Sequence, residues 1–331
     1  MLKYTVEKAG AAVQALESDA PPLKPREVEV AVSHCGVCLT DVNLIDDLYG
    51  ITRFPFVAGH ESIGVVTAVG ADVDPRFVAV GQRVGVGAIG GSCETCEWCL
   101  SGQQNLCPDK DDLVGRGDGG AFASHVRASD WRHVQQIPEA LPSAAAAPLL
   151  CAGSTVFPPL LRNGVRPTDR VAVVGVGGLG HLAIKFLAAW GCHVTAITST
   201  AAKAEDARRF GAHEVIAGKD LTASSFDFVL STAPGDLPWG DYVKALRPRG
   251  TLCFVGVPHA PVSFGGIDLM MGERRVVGGV VGTPVEVQLM LEFAARHGIV
   301  AEIETYPVAK IDDAIERVRR GDARYRVVLE M

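Results

Sequence analysis

The sequence contains no run rich in lysine or arginine, and its 331 residues carry a formal net charge of −7 at pH 7. A nucleic-acid-binding protein needs a basic face, so we predict that no nucleic acid is a partner. The first ten residues, MLKYTVEKAG, include no apolar core of signal-peptide length. The longest apolar region, residues 171–190, is interrupted by four glycines and Lys185, which does not fit a membrane helix. We therefore expect a cytoplasmic protein without a membrane partner.

Internal repeats and low-complexity tracts are also absent. Hydrophobic residues make up 48% of the chain and charged residues 21%, which is enough apolar material for cores and excludes global disorder. A length of 331 residues suggests about two domains.

The chain has nine cysteines, an odd number that fits poorly with complete disulfide pairing, and the cytoplasm keeps thiols reduced. The stretch SCETCEWCLSGQQNLC holds Cys93, Cys96, Cys99 and Cys107. Disulfide partners and four unrelated thiols are the alternatives, but this spacing is typical of a tetrahedral zinc site. Because four thiolates leave no position open for a substrate, we expect this zinc ion to be structural.

The N-terminal 150 residues have the pattern of strands and loops. Val28, Val30 and Val32 alternate with less apolar residues, which is the period of a half-buried strand. Further apolar runs recur at residues 63–69 and 84–89. Helical periodicity is weak throughout, so we predict a small β-rich domain that carries the zinc loop.

After Pro148, apolar strands alternate with helical segments. DRVAVVG, HVTAIT, FDFVLST and GTLCFVG have the composition of strands, and LGHLAIKFLAAWG predicts a helix that ends at Gly191. Strands that alternate with helices are typical of βαβ units and a parallel sheet.

The last 50 residues predict one more helix and one more strand. An amphipathic helix that ends near Gly298 is indicated by the i, i+3, i+4, i+7 spacing of Val287, Met290, Leu291 and Ala294. The closing stretch RYRVVLEM has the composition of a strand, which could return to the first domain.

The glycine-rich stretch GVGGLG, residues 175–180, follows a predicted strand and opens a predicted helix. In this context G-x-G-x-x-G indicates a dinucleotide site. Gly175 permits the tight turn, Gly177 lets a pyrophosphate approach the backbone, and Gly180 lets helix and strand pack closely. The helix N-terminus would then present free N–H groups to the phosphates. The alternative is that these glycines serve a turn only.

The residues that follow the second strand of this unit indicate which dinucleotide binds. An NAD site places Asp or Glu there to hold the ribose 2′-hydroxyl. This chain has Thr198, Ser199, Thr200 and Lys203 instead, and no acid before Glu205. Hydroxyls and an ammonium favour a 2′-phosphate, so we predict NADP(H). The alternative is a polar loop in which Thr200 caps the next helix.

Two thiols and an imidazole elsewhere have the chemistry of a catalytic zinc site. Cys38 lies in CGVCLTD, His60 in AGHES and Cys151 in PLLCAG, whereas Cys192 and Cys253 border or lie in apolar strands and are predicted to be core residues. Three protein ligands with one open position is the catalytic arrangement. The residues alone do not bring positions so distant together.

The whole chain resembles the zinc-dependent medium-chain alcohol dehydrogenases, and within them the cinnamyl alcohol dehydrogenase subfamily. The stretches that carry the resemblance are CGVCLTD, AGHESIGVV, GQRVGVG, GSCETCEWCLSGQQNLC, PLLCAGSTV, VVGVGGLGHLAIKFLAAWG, TSTAAK and RYRVVLEM. The resemblance implies an α/β fold with a split GroES-like β-barrel catalytic domain, residues 1–152 and 289–331. It also implies a Rossmann domain with a doubly wound parallel sheet, residues 153–288.

The resemblance also assigns roles to individual residues. Cys38, His60 and Cys151 match the catalytic zinc ligands, and Glu61 matches a carboxylate that can exchange onto that zinc ion. Thr40 matches the hydroxyl that transfers a proton to or from the substrate oxygen, and Asp41 matches the acid that orients the ligand histidine. The implied cofactor contacts are Thr40, Thr155, Gly175, Gly177, Gly178, Leu179, Gly180, Thr198, Ser199, Thr200, Lys203, Thr232, Gly256 and Val281.

The chain departs from the family pattern at Leu39, where His or Arg is frequent, and at Asn43, where several relatives carry a relay histidine. We expect two zinc ions per chain and a homodimer that transfers hydride between NADP(H) and a primary alcohol or aldehyde with an aromatic or apolar body. Candidate substrate contacts are Leu48, Tyr49, Trp98 and Val280, although Trp98 also fits simple packing of the zinc loop. A zinc-containing reductase of activated C=C or iminium bonds is the alternative enzyme, and a non-catalytic NADP-binding sensor is the alternative of another class.

Overall fold

The computed structural model describes residues 1–115 and 117–331, which form two compact units. One unit comprises Met1–Ser154 and Gly282–Met331, and the other comprises Thr155–Val281. The return to the first unit predicted at residue 289 falls inside a helix, Pro284–His297, that belongs wholly to that unit. The structural boundary therefore precedes this helix, and the limits 1–152 with 289–331 and 153–288 stay a prediction for the functional domains.

The strands of the described residues are numbered in chain order. They are β1 (Leu2–Val6), β2 (Gln14–Glu17), β3 (Val28–Val37), β4 (Phe56–Val57), β5 (Ser62–Val69), β6 (Arg83–Val86), β7 (Ile89–Gly91), β8 (Asp111–Asp112), β9 (His125–Ala128), β10 (Val134–Gln136), β11 (Arg170–Val174), β12 (His193–Ile197), β13 (Glu214–Ile216), β14 (Phe226–Ser231), β15 (Leu246–Phe254), β16 (Arg275–Gly278), β17 (Ile303–Pro307) and β18 (Arg326–Glu330).

Among the described residues, two α-helices are longer than ten residues, Gly180–Trp190 and Pro284–His297. The α-helices are α1 (Leu39–Ile45), α2 (Glu97–Leu100), α3 (Ser143–Ala146), α4 (Ala152–Val156), α5 (Pro158–Arg162), α6 (Gly180–Trp190), α7 (Ala204–Arg209), α8 (Trp239–Ala245), α9 (Gly266–Met270), α10 (Pro284–His297) and α11 (Ile311–Arg319). Single turns of 3-10 helix lie at Gln104–Leu106, Leu113–Gly115, Trp131–His133, Ala147–Leu150, Ala201–Lys203, Gly218–Asp220 and Val308–Lys310.

The first unit is built on a sheet with the strand order β10-β6-β5-β3-β18-β17, and β9 also pairs with β3. Smaller sheets have the orders β2-β1-β4 and β7-β8. In β3 the valines at 28, 30 and 32 are buried and alternate with half-buried residues, as predicted. The strand β18 pairs antiparallel with β3, which confirms that the closing stretch returns to the β-rich unit.

The helix α10 ends where the sequence predicts. Thr283 accepts the Glu286 N–H, and the Glu286 carboxylate accepts the Thr283 N–H, so a capping box closes its N-terminus. The four predicted apolar residues are the buried ones: Val287, Met290, Leu291 and Ala294. Gly298 ends the helix in the left-handed conformation, with φ +63°.

The second unit carries the predicted parallel sheet. Its strand order is β13-β12-β11-β14-β15-β16, and all neighbours within it are parallel. This order is that of the doubly wound dinucleotide-binding fold. The helix α6 follows β11 and ends at Gly191, whose φ of +102° suits glycine.

One helical stretch, Ser143–Arg162, is long and apolar enough to cross a membrane by length and composition alone. However, 83% of its apolar window is buried inside the protein, as in the core helices of globular proteins.

Candidate functional site

The four cysteines of the zinc loop converge on one point. The sulfurs of Cys93, Cys96, Cys99 and Cys107 all lie within 4.8 Å of one another. The Cys96 N–H donates to Cys93 Sγ at 3.3 Å, and the Cys93 N–H donates to Cys107 Sγ at 3.5 Å. Backbone N–H groups that point at sulfur stabilise thiolates, so this cluster, which we call the quartet, suits a soft cation.

The electrostatics of the quartet differ from one sulfur to the next. Hydrogen bonds from the Thr95 and Cys96 backbone lower the pKa of Cys93 to about 6. Burial raises the pKa of Cys99 and of Cys107. Disulfides are not present among these residues, because all nine cysteines of the described chain are free.

A second ligand set joins residues that are far apart in the sequence. Ligand atoms of Cys38, His60, Glu61 and Cys151 lie within 4.8 Å of one another, and we call this set the open cluster. Cys38 and Cys151 share a hydrogen bond, which lowers the pKa of Cys38 and raises that of Cys151. The structure therefore assembles the three ligands and the exchangeable carboxylate that were assigned by resemblance.

Asp41 fixes the geometry of the open cluster from within α1. Its carboxylate is fully buried and accepts the Cys38 N–H at 2.9 Å and the Gly59 N–H at 2.8 Å. It also lies 2.9 Å from His60 Nδ1. A carboxylate at Nδ1 requires the proton on that nitrogen, which leaves the Nε2 lone pair of His60 available as a metal ligand.

Glu61 is buried and its charge is compensated by a residue that the sequence reasoning missed. Arg326 Nη2 in β18 donates to Glu61 Oε1, and both side chains are buried. Burial raises the pKa of Glu61 to about 7, and the Arg326 charge opposes that shift. Within the described chain, the second oxygen, Oε2, accepts no hydrogen bond. A Cβ at Gly36 would lie 1.9 Å from Oε2, so this carboxylate has room only because residue 36 is glycine.

Thr40 and Asn43 lie one turn apart on α1, and both are half-buried. The Asn43 amide donates to the Tyr49 hydroxyl at 2.7 Å. Tyr49 and Leu48 follow the helix and are 47% and 70% exposed. The other candidate substrate contacts are exposed as well: Trp98 on α2 and Val280 in the second unit.

The glycine loop of the second unit has the geometry that its sequence predicts. Gly175 has a φ of +91° directly after β11. A Cβ at Gly180 would lie 1.9 Å from the Gly175 carbonyl oxygen, whereas a Cβ at Gly177 would meet no atom within 4 Å. Gly177 therefore faces open space, as a position that a phosphate approaches must do. Gly178 and Leu179 complete the loop before α6.

Two further predicted cofactor residues are Thr232, which lies against this loop, and Gly256, which lies against Thr232. The Thr232 hydroxyl donates to the Val174 and Gly175 carbonyls at 2.9 and 3.0 Å. A Cβ at Gly256 would lie 2.6 Å from the Thr232 carbonyl carbon. Thr155 and Val281 are the first and last residues of the unit.

The residues predicted to read the 2′-phosphate follow β12. Ser199 and Thr200 are exposed, and Thr198 and Lys203 are half-buried. The Thr200 N–H donates to Thr198 Oγ1 at 3.2 Å, and the Lys203 N–H donates to the Thr200 carbonyl at 3.0 Å. These bonds make a compact turn at the carboxyl end of the strand, which is where ligands bind in such sheets.

Comparison with known proteins identifies the family. The family model for the alcohol dehydrogenase GroES-like domain matches residues 24–139, and the model for zinc-binding dehydrogenases matches residues 178–296. The aldehyde reductase AdhA of Synechocystis sp. is 40% identical over 331 residues, which cover 98% of this chain and 97% of that protein.

Two solved structures agree with this result. A cinnamyl alcohol dehydrogenase of Sorghum bicolor has a TM-score of 0.93 at 34% identity, covering 99% of this chain and 97% of that one. The enzyme of the same type from Helicobacter pylori, solved with NADP(H), has a TM-score of 0.91 at 28% identity, covering 100% and 97%. The predicted fold class is thereby confirmed, and the chain belongs to the zinc-dependent medium-chain alcohol dehydrogenases, of the cinnamyl alcohol dehydrogenase type, enzymes that interconvert alcohols and aldehydes.

Proposed function

We propose that this enzyme transfers hydride between NADP(H) and a primary alcohol or aldehyde with an aromatic or apolar body, at a site built around Cys38, His60 and Cys151. The observation that carries this proposal is the open cluster, in which Asp41 sets the tautomer of His60 and all the ligand atoms converge. A soft, borderline cation such as Zn²⁺ matches two thiols and an imidazole.

The open cluster fits a catalytic metal ion for a second reason. Glu61 Oε2 is buried within reach of the cluster and, in the described residues, lacks a hydrogen-bond donor. An unpaired carboxylate oxygen is costly unless a cation compensates it at some stage. When bound there, zinc supplies Lewis-acid polarisation of the substrate oxygen. The quartet would hold a second, structural zinc ion, because its four thiols fill a tetrahedral shell.

Residues of the chain itself would orient the ligand histidine and transfer the substrate proton. Asp41 holds His60, so the imidazole cannot rotate away from the sulfurs. The Thr40 hydroxyl, two residues beyond Cys38, is the proposed group that passes the proton to or from the substrate oxygen. Asn43 does not titrate, and its amide is bound to the Tyr49 hydroxyl. We therefore infer that the proton leaves through hydroxyl groups and water rather than through a relay imidazole.

The glycine loop and the turn after β12 support NADP(H) as the hydride carrier. Gly177 faces open space before the N-terminus of α6, and Ser199, Thr200 and Lys203 offer donors where a 2′-phosphate would lie. The remaining assigned contacts are proposed to bind along the same sheet edge: Thr155, Gly175, Gly178, Leu179, Gly180, Thr198, Thr232, Gly256 and Val281.

We also propose a cytoplasmic homodimer. The strand β16 lies at one edge of the parallel sheet, and Ile267, Met270 and Met271 nearby are 61%, 75% and 79% exposed. An uncovered strand edge with large apolar neighbours is a surface that proteins commonly cover by association.

A spectrophotometric panel tests the proposed function. Aromatic and aliphatic aldehydes, an activated alkene and a cyclic iminium salt are each offered with NADPH and with NADH, and cofactor oxidation is followed. We expect turnover of aldehydes with NADPH, with aromatic or apolar compounds preferred, and no aldehyde turnover by Cys38→Ser. Turnover confined to the alkene or iminium compound would contradict the proposal and support the alternative reductase. NADPH binding without turnover of any compound would support the non-catalytic sensor instead.

A further inference from the structure

A loop that follows α1 presents three large apolar side chains to solvent. Leu48, Tyr49 and Ile51 are 70%, 47% and 67% exposed. Tyr49 is the one of these three that carries a polar group, and its hydroxyl accepts a hydrogen bond from the Asn43 amide at 2.7 Å. An exposed aromatic ring is thus anchored at its far end to the helix that carries Thr40.

The backbone of this loop is held as well. The Leu48 N–H donates to the Asn43 carbonyl at 2.8 Å. The Asp47 N–H donates to the Leu44 carbonyl at 3.1 Å, and the Asp47 carbonyl accepts the Gly50 N–H at 3.1 Å. Gly50 has a φ of +65°, which suits glycine. Because the backbone and the tip of the ring are both held, few rotamers are available to Tyr49.

The anchored ring lies on the side of α1 that carries the proposed proton-transfer hydroxyl. Thr40 and Asn43 are three residues apart, and side chains at i and i+3 are neighbours on a helix surface. Both are half-buried, whereas four of the other residues of α1 are buried. The Tyr49 hydroxyl contacts the Asn43 amide and therefore lies beside the same face. A substrate whose oxygen meets Thr40 can extend its body along this face towards the Tyr49 ring.

A ring that is already fixed favours one shape of substrate body. Ordering a free side chain on binding typically weakens affinity about 2- to 10-fold, and a side chain that is held beforehand avoids this loss. A planar aromatic body gains most from a fixed ring, because offset stacking requires a defined orientation of both rings. A flexible aliphatic chain can adapt to several orientations of the ring and gains less.

We infer that Asn43 is a positioning residue for substrate selection: its amide holds the Tyr49 ring, and the ring packs against the aromatic body of the substrate. The inference rests on the proposed function, and it narrows the substrate class from apolar bodies in general to aromatic ones. It also gives a role to an amide that has no proton to relay.

The test breaks the hydrogen bond between Asn43 and Tyr49 from either side. Asn43→Leu has a similar volume without the amide, Tyr49→Phe keeps the ring without the hydroxyl, and a double variant combines the two. Steady-state kinetics with benzaldehyde and with hexanal, each with NADPH, give the ratio of kcat/KM for the aromatic aldehyde to that for the aliphatic one. Tyr306→Phe, which removes a hydroxyl from β17 of the same unit, is the matched control.

We expect each single variant to lower this ratio about 2- to 10-fold, through a higher KM for benzaldehyde with little change in kcat or in the kinetics with hexanal. The double variant should match the single variants, because all three lack the same hydrogen bond. Tyr306→Phe should keep the ratio of the parent chain.

An unchanged ratio in Asn43→Leu overturns the inference. An equal loss with both aldehydes also overturns it, since a loosened loop alone would give that result. Additive losses in the double variant would mean that Asn43 acts on a group other than Tyr49, which is likewise contrary to the inference. A parent chain that turns over neither aldehyde would instead refute the proposed function.

Discussion

Arg326 and Glu61 form a buried ion pair although 265 positions separate them in the sequence. Removing one partner of such a pair leaves an uncompensated charge, which typically costs about 3–5 kcal/mol. Arg326→Met retains the volume and removes the charge, so we expect the free energy of unfolding to fall by about this amount in urea titrations.

The matched control for that experiment is Arg320→Ala. Arg320 pairs with Asp322 at 3.2 Å, and both side chains are more than half exposed, so its loss should change the free energy of unfolding by about 1 kcal/mol or less. Equal losses in the two variants would mean that the Glu61 charge is compensated by another group.

The two cysteine clusters should respond differently to loss of a ligand. Cys38→Ser is expected to lose about one zinc ion per chain, keep its fold and lose activity, because the open cluster supports chemistry. Cys96→Ser is expected to lower the melting temperature or solubility, because the quartet closes a loop. Metal analysis with calorimetry distinguishes the two, and identical behaviour of both variants would contradict the division of roles.

Thr40 is predicted to transfer the substrate proton. Thr40→Val keeps the shape and removes the hydroxyl, so turnover should fall roughly 10²–10⁴-fold, while Thr40→Ser stays active. Thr52→Val is the control, because the Thr52 hydroxyl donates to the Leu44 carbonyl at the other end of α1 at 2.8 Å. Steady-state kinetics should show normal turnover for that control, and an active Thr40→Val enzyme would exclude the proposed role.

The preference for NADPH should depend on the turn after β12. A charge-assisted hydrogen bond to the 2′-phosphate is worth about 1.5–3 kcal/mol, so Lys203→Ala should reduce kcat/KM with NADPH about 10- to 100-fold. The value with NADH should change little, and Ser199→Asp should repel the phosphate further. Lys219→Ala, at an exposed position of the same unit, is the control. Equal losses of kcat/KM with NADPH and NADH would show that this turn does not bind the 2′-phosphate.

Two core thiols should be inert in the native enzyme. Burial raises the pKa of Cys192 and of Cys253 to about 12, so at pH 8 roughly one molecule in 10⁴ carries the thiolate that reacts with alkylating reagents. Peptide mass spectrometry after iodoacetamide treatment should find both unmodified in the native state and modified in denaturant. Native labelling would increase as the pH rises towards 12, and labelling at pH 8 would contradict the stated burial.

Sequence patterns predicted the features that depend mainly on residues close together in the chain. The alternation in β3, the buried face of α10 and the three glycine roles follow from steric and burial requirements that nearby residues express. The predicted core positions Cys192 and Cys253 are confirmed as buried. The open cluster required the resemblance, because spacing alone does not join Cys38 to Cys151.

The sequence reasoning missed the contacts that depend on tertiary pairing. Arg326 meets Glu61 only because β18 pairs with β3, and an arginine among the apolar residues of a closing strand was the available signal.

The pairing of β18 with β3 also sets an order of events during synthesis. A ribosome that adds 5–20 residues each second makes Glu61 on the order of tens of seconds before Arg326. Until residues 326–330 emerge, β3 offers the unpaired edge of residues 34–37, and Glu61 has no cation beside it. Thr155–Val281 is one continuous segment. We therefore expect the nucleotide-binding unit of the nascent chain to fold first. The β-rich unit is expected to depend on chaperones until β18 has been synthesised.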